Sequence, residues 1–530
     1  MNISINERCL QVWQCLSQNT KQSIRTIAKR IGISKSSVAR HQKTINNRQQ
    51  HPESYLWETA EGAAWLRLLV LAVIYFFGIK KGIGADSLSE FFQALNLDLR
   101  IGCSASTLRK IEGQMREKIV AYGEAQSESF QGKNPISIVM GMDETFYEVP
   151  ILVAMELASG FIFTEVKCED RTYATWWKQV SKWFNAEEFH CRVLVSDGAK
   201  ALVKLAVSGL GCLSVPDLFH LERGLCKSMG TSLARQQMQL QKQEHTLQEQ
   251  IKTNSSPEIT TQLQDLQWQQ QILETDHQDY QNSLHSLSQT IHPFCLKTGE
   301  SQLGLELSAN LQAPLATLTR LSQTYAQTTS QAALVRWQQQ VPALSNLLHA
   351  WWIWVMESLS TQTQEPETQN WVLTHLLPWA YWHQQSEKTR TPQLLQAYQQ
   401  ATKNAHQRLL SHDFTQTLTQ IQQQHWIDWA LWICTKFQRT SSAVEGRNGY
   451  LSGLHHSNRG FTEQTLKVLT IIHNFDLKRP DGTTAAQRLF GQPFPNLFES
   501  VVQNMGELPS PRQSKKTHNL KPLTLHSVPS

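Results

Sequence analysis

Two aspartates and one distant glutamate are the residues of this chain best placed to do chemistry together. Asp143 follows the apolar run Ile136–Met142, and Asp197 lies just beyond the short apolar run Arg192–Val195; both runs read as strands. Glu445 comes far downstream, in the stretch Thr440-Ser441-Ser442-Ala443-Val444-Glu445-Gly446-Arg447-Asn448, which reads as the start of a helix. Hard divalent cations prefer carboxylate oxygens, and Mg2+ takes few protein ligands while keeping water and phosphate. Three converging carboxylates can hold two Mg2+ ions ~3.5–4 Å apart, one activating water or a 3′-hydroxyl and the other stabilising the leaving oxygen of a phosphodiester. Asp143, Asp197 and Glu445 are therefore the expected catalytic residues and metal ligands, with two Mg2+ as cofactor and Mn2+ as a possible substitute. The plain alternative is three unrelated surface acids.

Several neighbours carry weaker signals. Glu144 adjoins Asp143, and successive strand residues face opposite sides, so it reads as a supporting or solvent-facing acid. His220 could orient a phosphate or Asp217, or be an ordinary core histidine. Arg171 could hold a scissile phosphate, although surface support is the simpler role. Arg447 lies two residues after Glu445 and cannot share its helix face; its best functional role is contact with a DNA backbone. Asn448 and Arg459 are similar, weaker candidates.

The elements that must position these residues begin at Pro135, where the periodicity changes. A strand leads to Asp143, and Pro150–Leu157 and Phe161–Val166 form a hairpin around Ala158-Ser159-Gly160. A helix from Thr172 to Trp183, the strand before Asp197, a helix through Val207 and a strand Leu213–Phe219 complete a mixed α/β sheet.

The order strand-Asp143, hairpin, strand-Asp197, Asp217-Leu218-Phe219-His220, long helical block, then Glu445-Gly446-Arg447-Asn448 resembles insertion-sequence transposases of the DDE type. The resemblance is carried by residues 135–225 and 438–490, the second stretch including Arg459-Gly460-Phe461. It implies an RNase H-like α/β core interrupted by a large all-α insertion. It also implies that Asp217 and His220 support the active site and the DNA strand near it.

The block between the second aspartate and the glutamate shows no strand signal. Leu233, Leu240, Leu247 and Ile251, then Leu266, Leu273, Tyr280, Leu284, Leu287 and Ile291, recur at coiled-coil spacing around the breaker Thr253-Asn254-Ser255-Ser256-Pro257, which predicts an antiparallel helical hairpin. Sixteen glutamines between 236 and 289 make its outer face polar and uncharged. Eleven of the 17 tryptophans fall between 268 and 432. Trp351, Trp352, Trp354, Trp379 and Trp382 could stack on a flipped base, but at helical spacing they read first as core.

Ahead of the core, nine Lys/Arg stand against Glu7 alone in residues 1–50, while the rest of the chain is slightly acidic. Concentrated positive charge marks a polyanion-binding head. Ala28, Gly32 and Val38 suit a helix-turn-helix, whose second helix would present Lys35, Ser36, Ser37, Arg40 and Lys43 to DNA. An ordinary helical hairpin with a solvated basic face is the alternative.

The predicted organisation is a helix-turn-helix head over 1–50 and a helical linker or second DNA-binding unit over 51–134. The core occupies 135–225 and 438–506 around the insertion 226–437, and a disordered tail covers 507–530. In the linker, Ser104-Ala105-Ser106-Thr107-Leu108-Arg109-Lys110 could start a second DNA-contacting helix or belong to a plain bundle. The run LRLLVLAVIYFFGI is interrupted by Arg67's side chain at its start and followed by Lys80-Lys81, so it reads as a buried core helix rather than a membrane span. Nine scattered cysteines without a CxxC pair read as reduced thiols.

Together these readings predict a transposase that binds the terminal inverted repeats of a mobile element and catalyses Mg2+-dependent cleavage and strand transfer. Its partners would be double-stranded DNA, as element ends and target, and further copies of itself in a homodimer or higher oligomer; no membrane partner is expected. Its expected place is the bacterial cytoplasm, at the nucleoid. A structure-specific nuclease on the same core and a decayed transposase acting as a DNA-binding regulator are the rival readings.

Overall fold

A computed structural model of the chain describes residues 5–18, 22–50, 60–128, 135–184, 188–253, 256–325, 328–457 and 460–511. The chain is mostly helical with one mixed five-stranded sheet, and it divides into two compact units. The first unit holds residues 1–126, 457–459 and 494–530; the second holds 127–456 and 460–493. Residues 494–506, expected with the core, thus fall in the first unit. Arg459 and residues 512–530, most of the expected disordered tail, lie outside the described residues.

The first unit opens with three helices, α1 (Ile5–Gln18), α2 (Ile24–Ile31) and α3 (Lys35–Gln50). Ser23 caps α2 by accepting the Thr26 N–H, and Gly32 ends it in the left-handed conformation, φ 72°, that only glycine adopts without strain. Ser34 then caps α3 through the Ser37 N–H. Cys9, Val12, Cys15, Ile27, Ala28, Val38 and Ile45 form one small core, which leaves Lys35, Ser36, Arg40 and Lys43 exposed and Ser37 half-buried.

The apolar run forms α4 (Ala60–Val73) and continues as a π-helical turn, Ile74–Ile79. Among the described residues this is the one helical run long and apolar enough to cross a membrane. Leu66, Val70, Leu71, Ile74, Tyr75 and Ile79 are buried, whereas Trp65, Leu68, Phe76 and Phe77 are exposed, so burial covers one side of the helix rather than all of it. Arg67 interrupts the run for a reason: it donates to the carbonyls of Val502 (2.8 Å), Gly506 (3.2 Å) and Met505, around the end of the returning helix Leu497–Gln503. A cation there satisfies the carbonyls that a helix leaves unpaired. α5 (Ala85–Ala94) and α6 (Ala105–Glu128) complete the unit, with Ser104 capping α6 through the Thr107 N–H.

In the second unit the sheet consists of β1 (Ile136–Tyr147), β2 (Val149–Glu156), β3 (Ile162–Lys167), β4 (Phe189–Ser196) and β5 (Leu213–Pro216), in the order β3-β2-β1-β4-β5. β2 runs antiparallel to β1 and β3, while β4 runs parallel to β1 and β5. The near-continuous apolar runs of β2 and β4 match a sheet buried on both faces. α7 (Tyr173–Phe184) crosses from β3 to β4, α8 (Lys200–Lys204) from β4 to β5, and α9 (Leu218–Leu225) follows β5.

The helical block between the two parts of the sheet domain is not a separate body. α10 (Thr231–Thr253) and α11 (Pro257–Thr290) form the expected hairpin, with Leu233, Leu266, Leu273, Tyr280, Leu287 and Ile291 buried and Leu240, Leu247, Ile251 and Leu284 half-buried. α12 (Gly304–Thr324) and α13 (Thr328–Gln362) follow, and several shorter helices lead to Cys434. One hydrophobic core runs from Val139, Val153 and Val195 of the sheet to Leu287, Trp337, Trp351, Trp354 and Trp382 of the block. Trp351, Trp354 and Trp382 are therefore core residues, and Trp352 and Trp379 pack half-buried against them. After the block, the helices Ser442–His456 and Glu463–Phe475 return to the sheet.

Candidate active site

β1 does not stop at Met142: it continues to Tyr147, so Asp143 lies inside the strand. It pairs there with Val153 of β2, but the ladder to β4 has already ended at Gly141 and Val195. Two residues further along each strand, Asp143 and Asp197 stand at the same level where β1 and β4 part. The pairing Ser196↔Pro216 puts Asp217 beside Asp197 in the same way. Three aspartates thus mark the carboxyl ends of the two adjacent parallel ladders, β1–β4 and β4–β5, the crevice where open α/β sheets place their sites. β5 is shorter than the sequence predicts, because Asp217 caps α9 by accepting the Phe219 N–H at 2.8 Å.

The glutamate arrives on the helix Ser442–His456. Gly141 allows the close approach: a Cβ there would lie 2.4 Å from Leu157 Cδ2 and 3.0 Å from Val444 Cγ2. Gly141 and Asp143 share a strand face, so the helix that packs on Gly141 carries Glu445 and Asn448 towards Asp143. The Asn448 side-chain amide donates to Asp143 Oδ2 at 2.9 Å, and its own Oδ1 is buried without a partner. Burial and the nearby Glu445 carboxylate push the Asp143 carboxyl up to about 7, against which His220 acts weakly.

Asp217 joins the two distant parts of the site. Its second oxygen accepts the Ser441 N–H at 2.9 Å and the Ser441 hydroxyl, while the Leu218 N–H bonds Arg439 O at 3.0 Å. Burial alone would raise its pKa; the neighbouring His220 and the hydrogen bonds from Ser441 outweigh that and hold it below the usual carboxylate range. His220 stands between two acids, with Nδ1 3.4 Å from Asp217 Oδ2 and Nε2 3.5 Å from Glu445 Oε1. The adjacent Asp217 carboxylate, opposed by burial and helped by the charges of Glu445 and Asp143, raises its pKa and favours the imidazolium.

Asp143, Asp217, His220, Glu445 and Asn448 are therefore brought together. Asp197 is level with them through the strand register, and its own Oδ1 accepts the Ala199 N–H at 2.8 Å. Asp143, Asp197 and Glu445 supply the oxygens that could hold a cation. Among the described residues, however, no three His, Cys, Asp or Glu side chains stand as a ready-made metal cage.

Arg447 is not at a DNA-facing surface. It is buried, and its guanidinium makes two bonds to Glu165 of β3, at 2.6 and 2.7 Å, and lies over the Tyr450 ring. Thr470 donates to the same carboxylate at 2.8 Å. A fork-to-fork pair of this kind fixes the helix that carries Glu445 and Asn448 to the sheet. Glu144 faces away from Asp143, as the strand alternation predicts, and pairs with Arg171, which lies over Phe146.

Ser441 and Arg336 went unnoticed in the sequence. Ser441 carries a faint signal, since a Thr-Ser-Ser run before a helix is a capping pattern. Arg336 of α13 donates to the backbone O of Asp197, and nothing local marks it.

Residues 372–517 match the model of a family described as a family of unknown function (DUF6399). That stretch includes Ser441, Glu445, Arg447 and Asn448 but neither Asp143 nor Asp197. No curated protein matches the chain.

Proposed function

We propose that this protein is a DNA transposase of the DDE type, with an RNase H-like core. In this reading it binds the inverted repeats that end a mobile element, cuts the DNA there and joins the free 3′-hydroxyls to target DNA, at the nucleoid in the cytoplasm. The observation that carries the reading is the convergence of Asp143 and Glu445, with Asp197 level with Asp143 on the neighbouring strand. The mixed five-stranded sheet, with three antiparallel strands followed by two parallel ones, is compatible with an RNase H-like core and supports the same reading.

The donor set fits a hard divalent cation. The acids are oxygen ligands, Asp143 is held up by burial and by a neighbouring negative charge, and Asn448 Oδ1 is an acceptor without a donor. Mg2+ is content with one or two carboxylates and several waters, so a full cage need not precede it. Asp143, Asp197 and Glu445 would hold Mg2+, or Mn2+ in its place, and the bound ions would supply Lewis acidity to the phosphodiester.

The chain's own groups do the rest. Asn448 holds Asp143 in one orientation, and Asp217 with Ser441 locks the helix of Glu445 to the end of β5. His220 offsets part of the negative charge that an incoming phosphate would meet. The exposed Lys35, Arg40 and Lys43 of α3 would neutralise phosphates of the element end.

A labelled element end, Mg2+ and a target plasmid test this. A joined product is expected; a cut product alone would indicate a nuclease, and a shifted band alone a DNA-binding regulator. Asp143→Asn should abolish both reactions and still bind the end. Normal cleavage by that variant would refute the metal assignment.

A further inference from the structure

The inserted block reaches the candidate site itself. α13 packs against β5 and meets β4 at two points along its length. Near its end, Glu357 pairs with Arg192 of β4 at 2.6 Å, and Trp354 lies under the same guanidinium. Near its start, Arg336 donates to the backbone O of Asp197. The helix therefore opposes the direction of β4, and its early turns lie where the strand delivers its aspartate. Leu334 and Trp337, both buried, anchor these turns.

Arg336 itself is exposed. Arg171, Arg192, Arg320 and Arg447 each have a carboxylate partner, and Arg336 has none among the described residues. A guanidinium carries five N–H donors in a planar fork. One is spent on the Asp197 carbonyl, and that bond aims the remaining edge beside an acid of the site. Gly198, at φ 81°, adds no side chain; a Cβ there would come within 3.5 Å of Arg336 Nη2.

We propose that Arg336 binds a backbone phosphate of the DNA strand processed at Asp143 and Asp197, so that core and insertion grip the strand together. This rests on the transposase reading above. The planar fork matches a phosphate bidentately. Its charge also offsets the repulsion between the strand and the acid cluster, which a strand gripped by the core alone would meet in full.

The test is a chemical double-mutant cycle on the full chain. Arg336→Ala should bind the element end about tenfold more weakly, with a log–log salt slope shallower by about 0.9. A series of DNA ends is then made, each carrying one uncharged methylphosphonate linkage near the cleavage position. One linkage should weaken the wild-type protein about tenfold and leave Arg336→Ala unchanged. If every linkage weakens both proteins alike, Arg336 only braces the Asp197 turn and the proposal fails. Should the alanine variant not fold, Arg336→Lys takes its place, and its response at that linkage must be smaller than that of the wild type. A wild-type protein that neither binds nor cuts DNA would remove the transposase reading, and this inference with it. Cleavage that is indifferent to residue 336 would remove the inference alone.

Discussion

Asn448 donates to Asp143 across 305 positions of sequence, at 2.9 Å, and this bond links the strand that begins the sheet to the helix that returns after the insertion. It acts on orientation: a carboxylate held by one directed donor presents its remaining lone pairs in one direction. The neighbouring bonds, Tyr147 to the Asn448 carbonyl at 3.2 Å and Ser441 to Asp217, hold the same helix from two further points.

Asn448→Ala should therefore slow DNA cleavage by roughly 10- to 100-fold, the usual loss when the partner of a metal-binding group is removed. Binding of the element end should be unchanged. Single-turnover cleavage beside a gel-shift titration checks this, and equal losses in both would show that Asn448 matters only for folding.

Arg447 makes the opposite kind of prediction. Removing it leaves Glu165 buried and uncompensated, which costs about 3–5 kcal/mol. Arg447→Ala should thus lower the denaturant midpoint sharply. Pairing it with Glu165→Gln should recover a large part of the loss, because a neutral amide needs no counter-charge. If Arg447→Ala is as stable as the wild type and impaired only on DNA, the buried-pair account is wrong.

For the head, replacing Lys35, Arg40 and Lys43 together by alanine should reduce the salt slope of end binding by about 2.7, at roughly 0.9 per phosphate contact. These side chains are exposed, so thermal unfolding should move little. A binding isotherm at several salt concentrations decides the matter; an unchanged slope would move DNA recognition elsewhere.

Acid stability should be limited by His292. It is wholly buried between the Tyr381 hydroxyl at 2.5 Å and the Tyr398 hydroxyl at 3.1 Å, and burial, with Arg439 nearby, holds its pKa well below the ordinary 6.5. A histidine whose folded pKa is depressed contributes stability that is full above about 6.5 and is lost as pH falls, at up to about 1.4 kcal/mol per pH unit. His473, pushed down to about 4 chiefly by burial, adds to the same loss. Denaturant melts between pH 7 and 5 should show the decline, and His292→Gln should make it shallower.

Much of the architecture was legible in the residues because it is encoded locally. The switch from alternating to helical periodicity at the insertion, the serine and glycine caps of α2 and α3, and the heptad seam of α10 and α11 each depend on neighbours a few positions away. Asp143 and Asp197 could be nominated for the same reason, since both follow apolar runs, whereas Asp217 was marked by the resemblance alone.

What only the tertiary structure decided is which distant residues meet. β1 outlasts its apolar run because the antiparallel ladder with β2 continues to Tyr147, and no local pattern reports a partner strand. Arg447 reads as a surface cation in sequence, yet Glu165, 282 positions away, makes it a buried one. Arg336 gains its place beside Asp197 only because α13 shares one core with the sheet. Charge and hydrogen-bonding capacity belong to single residues, whereas desolvation and pairing belong to the packing that surrounds them.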